Sequence, residues 1–265
     1  MTQNNKVIIG FVPTMGALHP GHLSLVKAAS SQTDYVVVSL FVNPLQFNNP
    51  IDLEKYPRNI EGDIALLENS GCDLLFAPSV DDIYPQGIPN IELDIKDLES
   101  VMEGKMRKGH FQGVVQVLHR LFSLINPQKA FFGLKDYQQC LVVKRLVDTY
   151  FSDIKLFFEP TMRETSGLAM SSRNQRLSIE GKKEAADIYR KLIYCKSLYP
   201  AELPQNIIEK GKAEFKRQGL EVEYLEIVEA ETLRNPIIWE KNKKYIILAA
   251  VYIESVRLID NLFLN

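Results

Sequence analysis

The sequence predicts an α/β fold: a Rossmann-like, doubly wound parallel sheet followed by a smaller C-terminal α+β domain. Two observations carry that prediction. Through the first two-thirds of the chain, short and nearly uninterrupted apolar runs alternate with longer helical patterns, as in a parallel sheet covered on both faces. The last third instead places two charged amphipathic helices ahead of two β-rich runs, the order of an α+β unit. The 265 residues leave room for one large domain or two ordinary ones of about 100–200 residues each.

In order, Val7–Val12 reads as a buried strand, followed by a loop and a helix from about Gly21 to Ser31. Tyr35–Val42 is a second strand, Pro57–Ser70 a helix, and Asp73–Ala77 a third strand after the helix-stopping Gly71. An irregular segment rich in Pro and Gly follows. Phe111–Ile125 then sets Val114, Val117, Leu118, Leu121, Leu124 and Ile125 on one helical stripe, ended by Asn126-Pro127. Lys129–Phe132 and Ile154–Phe158 read as strands flanking a helix at Tyr137–Thr149. Beyond them, helices at Ser178–Leu198 and Pro204–Gln218 precede strands at Val222–Val228 and Tyr245–Ile253. A polar stretch near Pro160–Asn174 marks the boundary, which gives domains at 1–160 and 161–265.

Composition excludes several classes of function. Hydrophobic residues make up 46% and charged residues 24%, the balance of a folded globular chain. A net charge of −2 supplies no basic field for nucleic acid. No apolar run approaches the roughly 18 residues of a membrane span. The N-terminal MTQNNK leads into an apolar run too short for a secretory leader. Three widely spaced cysteines, Cys72, Cys140 and Cys195, form neither a disulfide framework nor a CxxC site, which predicts a cytoplasmic protein.

The stretch with the most chemistry is Pro13–His22, PTMGALHPGH, between the first strand and the first helix. In an open parallel sheet, ligands bind beyond the carboxyl ends of the strands. A helix start there offers unpaired backbone N–H groups and a positive dipole end to phosphate. Gly16 and Gly21 let backbone approach a ligand, while His19 and His22, three apart, add donors along one side of the turn. From the residues alone, two other readings stay open. The segment could be a turn and helix cap with structural histidines. Alternatively, HxxH could bind zinc, although only His110 and His119 remain as further histidines. Neither a Walker A loop nor GxGxxG is present.

The HxGH signature after a first strand resembles the nucleotidyltransferase superfamily, and the longer string PTMGALHPGHLSLV resembles the pantoate–β-alanine ligases, the pantothenate synthetase family. The similarity continues through SLFVNPLQF (39–47), YPR (56–58), FAPSVDDIYP (76–85), HFQGV (110–114), FFGLKDYQQ (131–139), GLAMSSRN (167–174) and RLIDN (257–261). The resemblance implies ATP-dependent adenylation of pantoate, then attack by β-alanine to give pantothenate, AMP and pyrophosphate. It implies ATP as substrate and magnesium bound mainly through ATP phosphates, with pantoate and β-alanine as the other ligands and a homodimer as the assembly.

Residue by residue, Met15, Gly16, Ala17, Leu18, His19, Gly21 and His22 match the family's ATP loop, with His22 at its proton-donor position. Gly133, Leu134, Lys135 and Asp136 match a second phosphate segment in which the lysine stabilises the transferring phosphate. Catalysis is thereby assigned to His22, His19 and Lys135. Met170, Ser171, Ser172 and Arg173 resemble a mobile phosphate loop, and Met162 falls where backbone contacts adenine. Gln46 and Gln139 match pantoate-holding glutamines, with Gln46 also near β-alanine and Asn43 beside them. Tyr56, Arg107 and His110 lie in matching segments without assigned roles, and Asp63 is a candidate near magnesium.

The chain departs from the family pattern in three places. Its N-terminus precedes the first strand by only a few residues, and Leu134 stands where an acidic residue is usual. The segment after YPR also carries fewer carboxylates. Two further functions remain as alternatives: adenylation of another small cofactor precursor, and nucleotide binding without turnover.

Overall fold

The computed structural model describes residues 7–265, so the reading of MTQNNK lies outside the described residues. The chain divides into two compact units, Met1–Pro160 and Thr161–Asn265.

The first unit runs β1 (Ile9–Thr14), α1 (Pro20–Ser30), β2 (Tyr35–Leu40), α2 (Pro50–Glu54), α3 (Ile60–Leu67), β3 (Leu74–Phe76) and α4 (Val80–Ile83). It continues with α5 (Lys96–Glu99), α6 (Met102–Met106), α7 (His110–Ile125), β4 (Lys129–Gly133), α8 (Tyr137–Tyr150) and β5 (Lys155–Glu159). The five strands form one parallel sheet in the order β3-β2-β1-β4-β5. Its centre is β1, whose Phe11 and Val12 are fully buried, as are Val36 and Val38 of β2 and Phe131 of β4. From β1 the chain steps outward to β2 and β3, then returns to lay β4 on the other side. That reversal creates a topological switch point between β1 and β4, where open α/β sheets bind ligands.

Several boundaries differ from the sequence expectation for local reasons. Strand β1 extends through Pro13 to Thr14, in register with Ser39 and Leu40. Pro13 has no N–H to pair, but the Thr14 hydroxyl donates to the Ser39 carbonyl at 2.7 Å and secures the strand end. Helix α3 starts at Ile60 rather than Pro57 because the Asn59 side chain caps it, accepting from the Gly62 amide at 3.0 Å. The Pro/Gly-rich stretch after β3 contains three short helices, α4 to α6. Leu124 is 48% exposed and does not belong to the core stripe of α7. At about 100° per residue it sits roughly 80° away from Val114, at the margin of an apolar stripe about that wide.

The second unit contains α9 (Ile179–Ser197), α10 (Pro204–Arg217), and β6 (Glu221–Glu229), β7 (Tyr245–Ile253) and β8 (Val256–Phe263) in one antiparallel sheet. The sequence predicts two strands here, and the structure has three. The missed β8 follows a two-residue hairpin in which Glu254 and Ser255 both adopt positive φ, 47° and 66°. Such turns usually advertise themselves with Asn or Gly. Here the Glu254 carboxylate instead accepts from the Ser178 amide at 2.8 Å, tying the turn to the N-cap of α9.

Candidate active site

The segment after β1 builds a tight loop. Gly16 takes φ +82° and Ala17 φ +50°, so the backbone turns through the left-handed region twice in succession. Glycine is required at the first position: a Cβ there would lie 3.1 Å from Asp63 Oδ2 as well as being strained. The Gly16 amide donates to Thr14 Oγ1 at 3.2 Å. The next two amides turn toward α3, where Ala17 N donates to Asp63 Oδ2 at 2.9 Å and Leu18 N to Oδ1 at 2.7 Å. His19 then serves as N-cap of α1, its Nδ1 accepting from the Gly21 amide at 3.2 Å. The His19 carbonyl accepts from the amides of His22 at 2.8 Å and Leu23 at 3.2 Å.

The structure engages most of the amides that the sequence reading offered to phosphate. The amides of Gly16, Ala17, Leu18, Gly21, His22 and Leu23 all have partners within the protein. What the loop keeps available to an anion is chiefly its side chains, aided by the dipole of α1. Asp63, the candidate near magnesium, is the acceptor for two of those amides. Both of its oxygens, 4% exposed as a residue, serve backbone amides. Among the described residues, no group of three or more His, Cys, Asp or Glu side chains is placed to hold a metal ion.

The side chains are well suited to an anion. The rings of His19 and His22 stack with centroids 4.0 Å apart, tilted by 33°. Because His19 Nδ1 accepts the Gly21 amide, its proton resides on Nε2. Burial holds His19 at about 4, below its ordinary 6.5, with the Lys135 charge adding to the effect. Burial, then His19 and Lys135, press His22 well below 6.5. Both imidazoles are therefore neutral at pH 7. His22 Nδ1 is buried without a hydrogen-bond partner among the described residues, an unmet demand of the kind a ligand satisfies.

These depressed values make a testable statement about stability. A histidine that resists protonation in the folded state contributes fully above its unfolded value near 6.5 and loses that contribution as pH falls toward the folded value. His110 behaves alike, pushed to about 3 by burial and by Arg107. The unfolding free energy, measured by urea titration, should thus be flat from pH 8 to 7 and decline below pH 6.5. Each of the three histidines adds a slope of up to about 1.4 kcal/mol per pH unit. A profile unchanged down to pH 5 would contradict the assignment.

Across the switch point, Gly133 ends β4 and Lys135 lies in the 3-10 turn Leu134–Asp136. Among the described residues, a Cβ on Gly133 would meet no atom within 4 Å beyond its chain neighbours, and its φ of −90° suits any residue. Packing does not demand glycine here, and the open space beside the strand end admits a ligand. The Lys135 ammonium lies 3.7 Å from the Asp136 carboxylate and is largely shielded. Asp136 precedes α8 but makes no side-chain cap.

After β2, the turn Pro44–Gln46 presents a second group. Asn43 donates through Nδ2 to the Gln46 side-chain oxygen at 3.2 Å and to the Gly113 carbonyl at 3.0 Å. Its own oxygen accepts from the Tyr84 hydroxyl at 3.1 Å. Gln46 Nε2 reaches Met15 Sδ at 2.8 Å, which links this turn to the loop after β1. Beneath it, neutral His110 donates from Nδ1 to the Gln46 carbonyl at 2.8 Å while Arg107 donates to its Nε2 at 3.0 Å. Gln139 lies on the first turn of α8, half-buried. Sequence reasoning left Tyr84 and Gly113 without roles. A lone glycine inside the apolar pattern of α7 was the available signal, since its Cβ would sit 2.7 Å from the Gln46 amide.

On the second unit, Met162 and Met170–Arg173 form one cluster. The Met170 amide donates to the Met162 carbonyl at 2.9 Å, so that carbonyl already has a partner. Ser171 caps the short 3-10 turn Ser172–Arg176 and Ser172 is buried. The base of the cluster is fixed by Arg163, whose guanidinium pairs with both oxygens of buried Asp260, at 2.6 and 2.9 Å, and stacks 3.7 Å from the Tyr189 ring.

Comparison with known proteins finds relatives over nearly the whole chain. The sequence model of the Pantoate-beta-alanine ligase family matches residues 1–263. A pantothenate synthetase of Christiangramia forsetii is 48% identical over 259 residues, covering 97% of this chain and 92% of the relative. One from Cytophaga hutchinsonii is 46% identical over 261 residues, covering 96% and 90%. The crystal structure of pantothenate synthetase from Thermus thermophilus superimposes with a TM-score of 0.91 at 43% identity, covering 97% of this chain and 93% of that one. A pantoate-beta-alanine ligase from Francisella tularensis, complexed with beta-gamma ATP and beta-alanine, gives 0.81 at 38% identity, covering 99% and 92%. With a family match over nearly every residue and the two segments that bear its histidines and lysine meeting at one switch point, the chain belongs to the pantoate–β-alanine ligase family.

Proposed function

We propose that the chain joins pantoate to β-alanine through a pantoyl-adenylate intermediate formed at the β1/β4 switch point. The observation that carries this reading is the stacked, neutral His19–His22 pair, with one buried ring nitrogen unpartnered, in the electrostatic reach of Lys135. A carboxylate is a poor acyl donor because its charge repels nucleophiles and oxide leaves badly. Attack of a pantoate carboxylate oxygen on the α-phosphorus of ATP forms an acyl–phosphate bond and expels pyrophosphate. The β-alanine amine then adds to the activated carbonyl carbon, loses a proton, and expels AMP as the C–O bond breaks.

In this reading, neutral His19 and His22 donate N–H groups to phosphate oxygens, and the bound anion raises their pKa values by opposite-charge attraction. Lys135 neutralises the charge that grows on the transferring phosphate. Gln46, Asn43 and Gln139 hold pantoate; neutral amides fit a hydroxy acid without adding charge. Met162 and Met170–Arg173 are assigned to ATP through their resemblance to a phosphate loop, Arg173 bringing a forked cation. Magnesium arrives on the ATP phosphates, since the described residues furnish no cage for it. A homodimer in the cytoplasm is part of the same proposal. Among the described residues, no helix is long and apolar enough to cross a membrane.

The deciding experiment is exchange of labelled pyrophosphate into ATP without β-alanine. Exchange that requires pantoate is the expected result. Its absence from folded protein sinks the adenylate, and exchange driven by another cofactor precursor in place of pantoate reassigns the substrate.

A further inference from the structure

We propose that Asp63 is a positioning residue for adenylation: from α3 it clamps the loop after β1 and so sets where His19 and His22 stand. The proposal rests on that loop binding ATP, the reading given above. Asp63 lies in the first turn of α3, where the helix dipole favours a carboxylate. Its side chain is buried and reaches back 46 and 45 residues to the Ala17 and Leu18 amides, one per oxygen.

The loop has reason to need such a clamp. Consecutive positive φ values at Gly16 and Ala17 are strained for the alanine, and the Ala17 and Leu18 amides take their acceptors from α3 rather than from the loop itself. A carboxylate supplies both acceptors at once, through bonds about twice as strong as neutral ones. Gly16 closes against the same carboxylate, within ordinary contact only because it lacks a Cβ. Leu18 leads directly into His19, the N-cap whose ring and carbonyl organise the first turn of α1. Losing the clamp therefore displaces the two imidazoles together, while the Asn43–Gln46 group, which touches the loop only ahead of Gly16 through Gln46 Nε2 and Met15 Sδ, keeps its own anchors on Gly113, Tyr84 and His110. That separation predicts which substrate suffers.

The test compares wild type with Asp63→Asn and Asp63→Ala. Asparagine keeps the volume and one acceptor but turns an NH₂ toward the second amide. For both variants we expect kcat/KM for ATP in pyrophosphate exchange to fall at least about tenfold, the effect of losing a charged hydrogen-bond acceptor. The pantoate KM should stay within about twofold. Hydrogen exchange at Ala17 and Leu18, followed by mass spectrometry on protein without nucleotide, should accelerate in both variants. Asp63→Asn carries the test if the alanine variant fails to fold. Wild-type ATP kinetics together with unchanged exchange at these amides overturns the clamp. So does a parallel loss of ATP and pantoate affinity, which marks a general scaffold residue. A defect repaired by raising magnesium at fixed ATP assigns Asp63 to the metal and also overturns it. The amide-exchange readout needs no turnover, so it judges the clamp even where wild type shows no pantoate-dependent exchange and the functional reading itself fails.

Discussion

Replacing His22 with alanine is expected to lower the rate of pantoate-dependent pyrophosphate exchange by about 10²–10³-fold, and Lys135→Ala to do the same, because in the proposed mechanism each supplies a donor aimed where charge develops. The two act differently. Lys135 brings a full charge, and its cation already depresses both histidines. His22 is neutral and buried, so in the proposed role it offers only a hydrogen bond. Lys135→Ala should therefore also raise the His19 pKa, visible by NMR as a shift from about 4 toward 6.5. Two groups working on one phosphate are not additive, so the double variant should fall short of the product of the single losses. Near-wild-type exchange in either single variant would refute its role.

Replacing Gly113 with alanine raises the pantoate KM by about tenfold and destabilises the protein by about 1–3 kcal/mol, the usual range for overpacking. The new methyl group would stand 2.5 Å from the Leu45 carbonyl carbon and 2.7 Å from the Gln46 amide. Backbone on both sides leaves no flexible side chain to yield, so Pro44–Gln46 must move away from α7. The Asn43 contact to the Gly113 carbonyl stretches, and with it the Asn43–Gln46 pairing. ATP affinity should change little, because the loop after β1 has separate anchors on Thr14 and Asp63. Urea unfolding and separate KM measurements for the two substrates test this. An unchanged pantoate KM would show that Gln46 does not depend on α7.

How legible each feature was depends on how local its cause is. The β-branched runs at Val36–Val38 and the stripe Val114–Leu121 are buried for reasons written within a few residues, and they specify the parallel sheet. The PTMG turn and HPGH start also act locally, since Pro20 and the His19 cap begin α1 whatever the rest of the chain does. The hairpin Glu254–Ser255 was invisible because its turn is held by a residue 76 positions away. The pairing of Asp63 with the loop amides was equally hidden. A lone aspartate in a helical pattern looks the same whether it faces water, a metal or a backbone 46 residues distant.

Fold class and family were readable from the residue string, as was the candidacy of His19, His22 and Lys135, because periodicity, turn chemistry and motif strings are properties of neighbouring residues. What those residues are in chemical terms came from the folded chain. There the loop amides are already paired, both histidines are neutral, and Asp63 serves the backbone. The difference is one of range. Hydrogen-bond satisfaction and desolvation depend on which distant groups share a few ångströms of dry space, and the fold alone sets that.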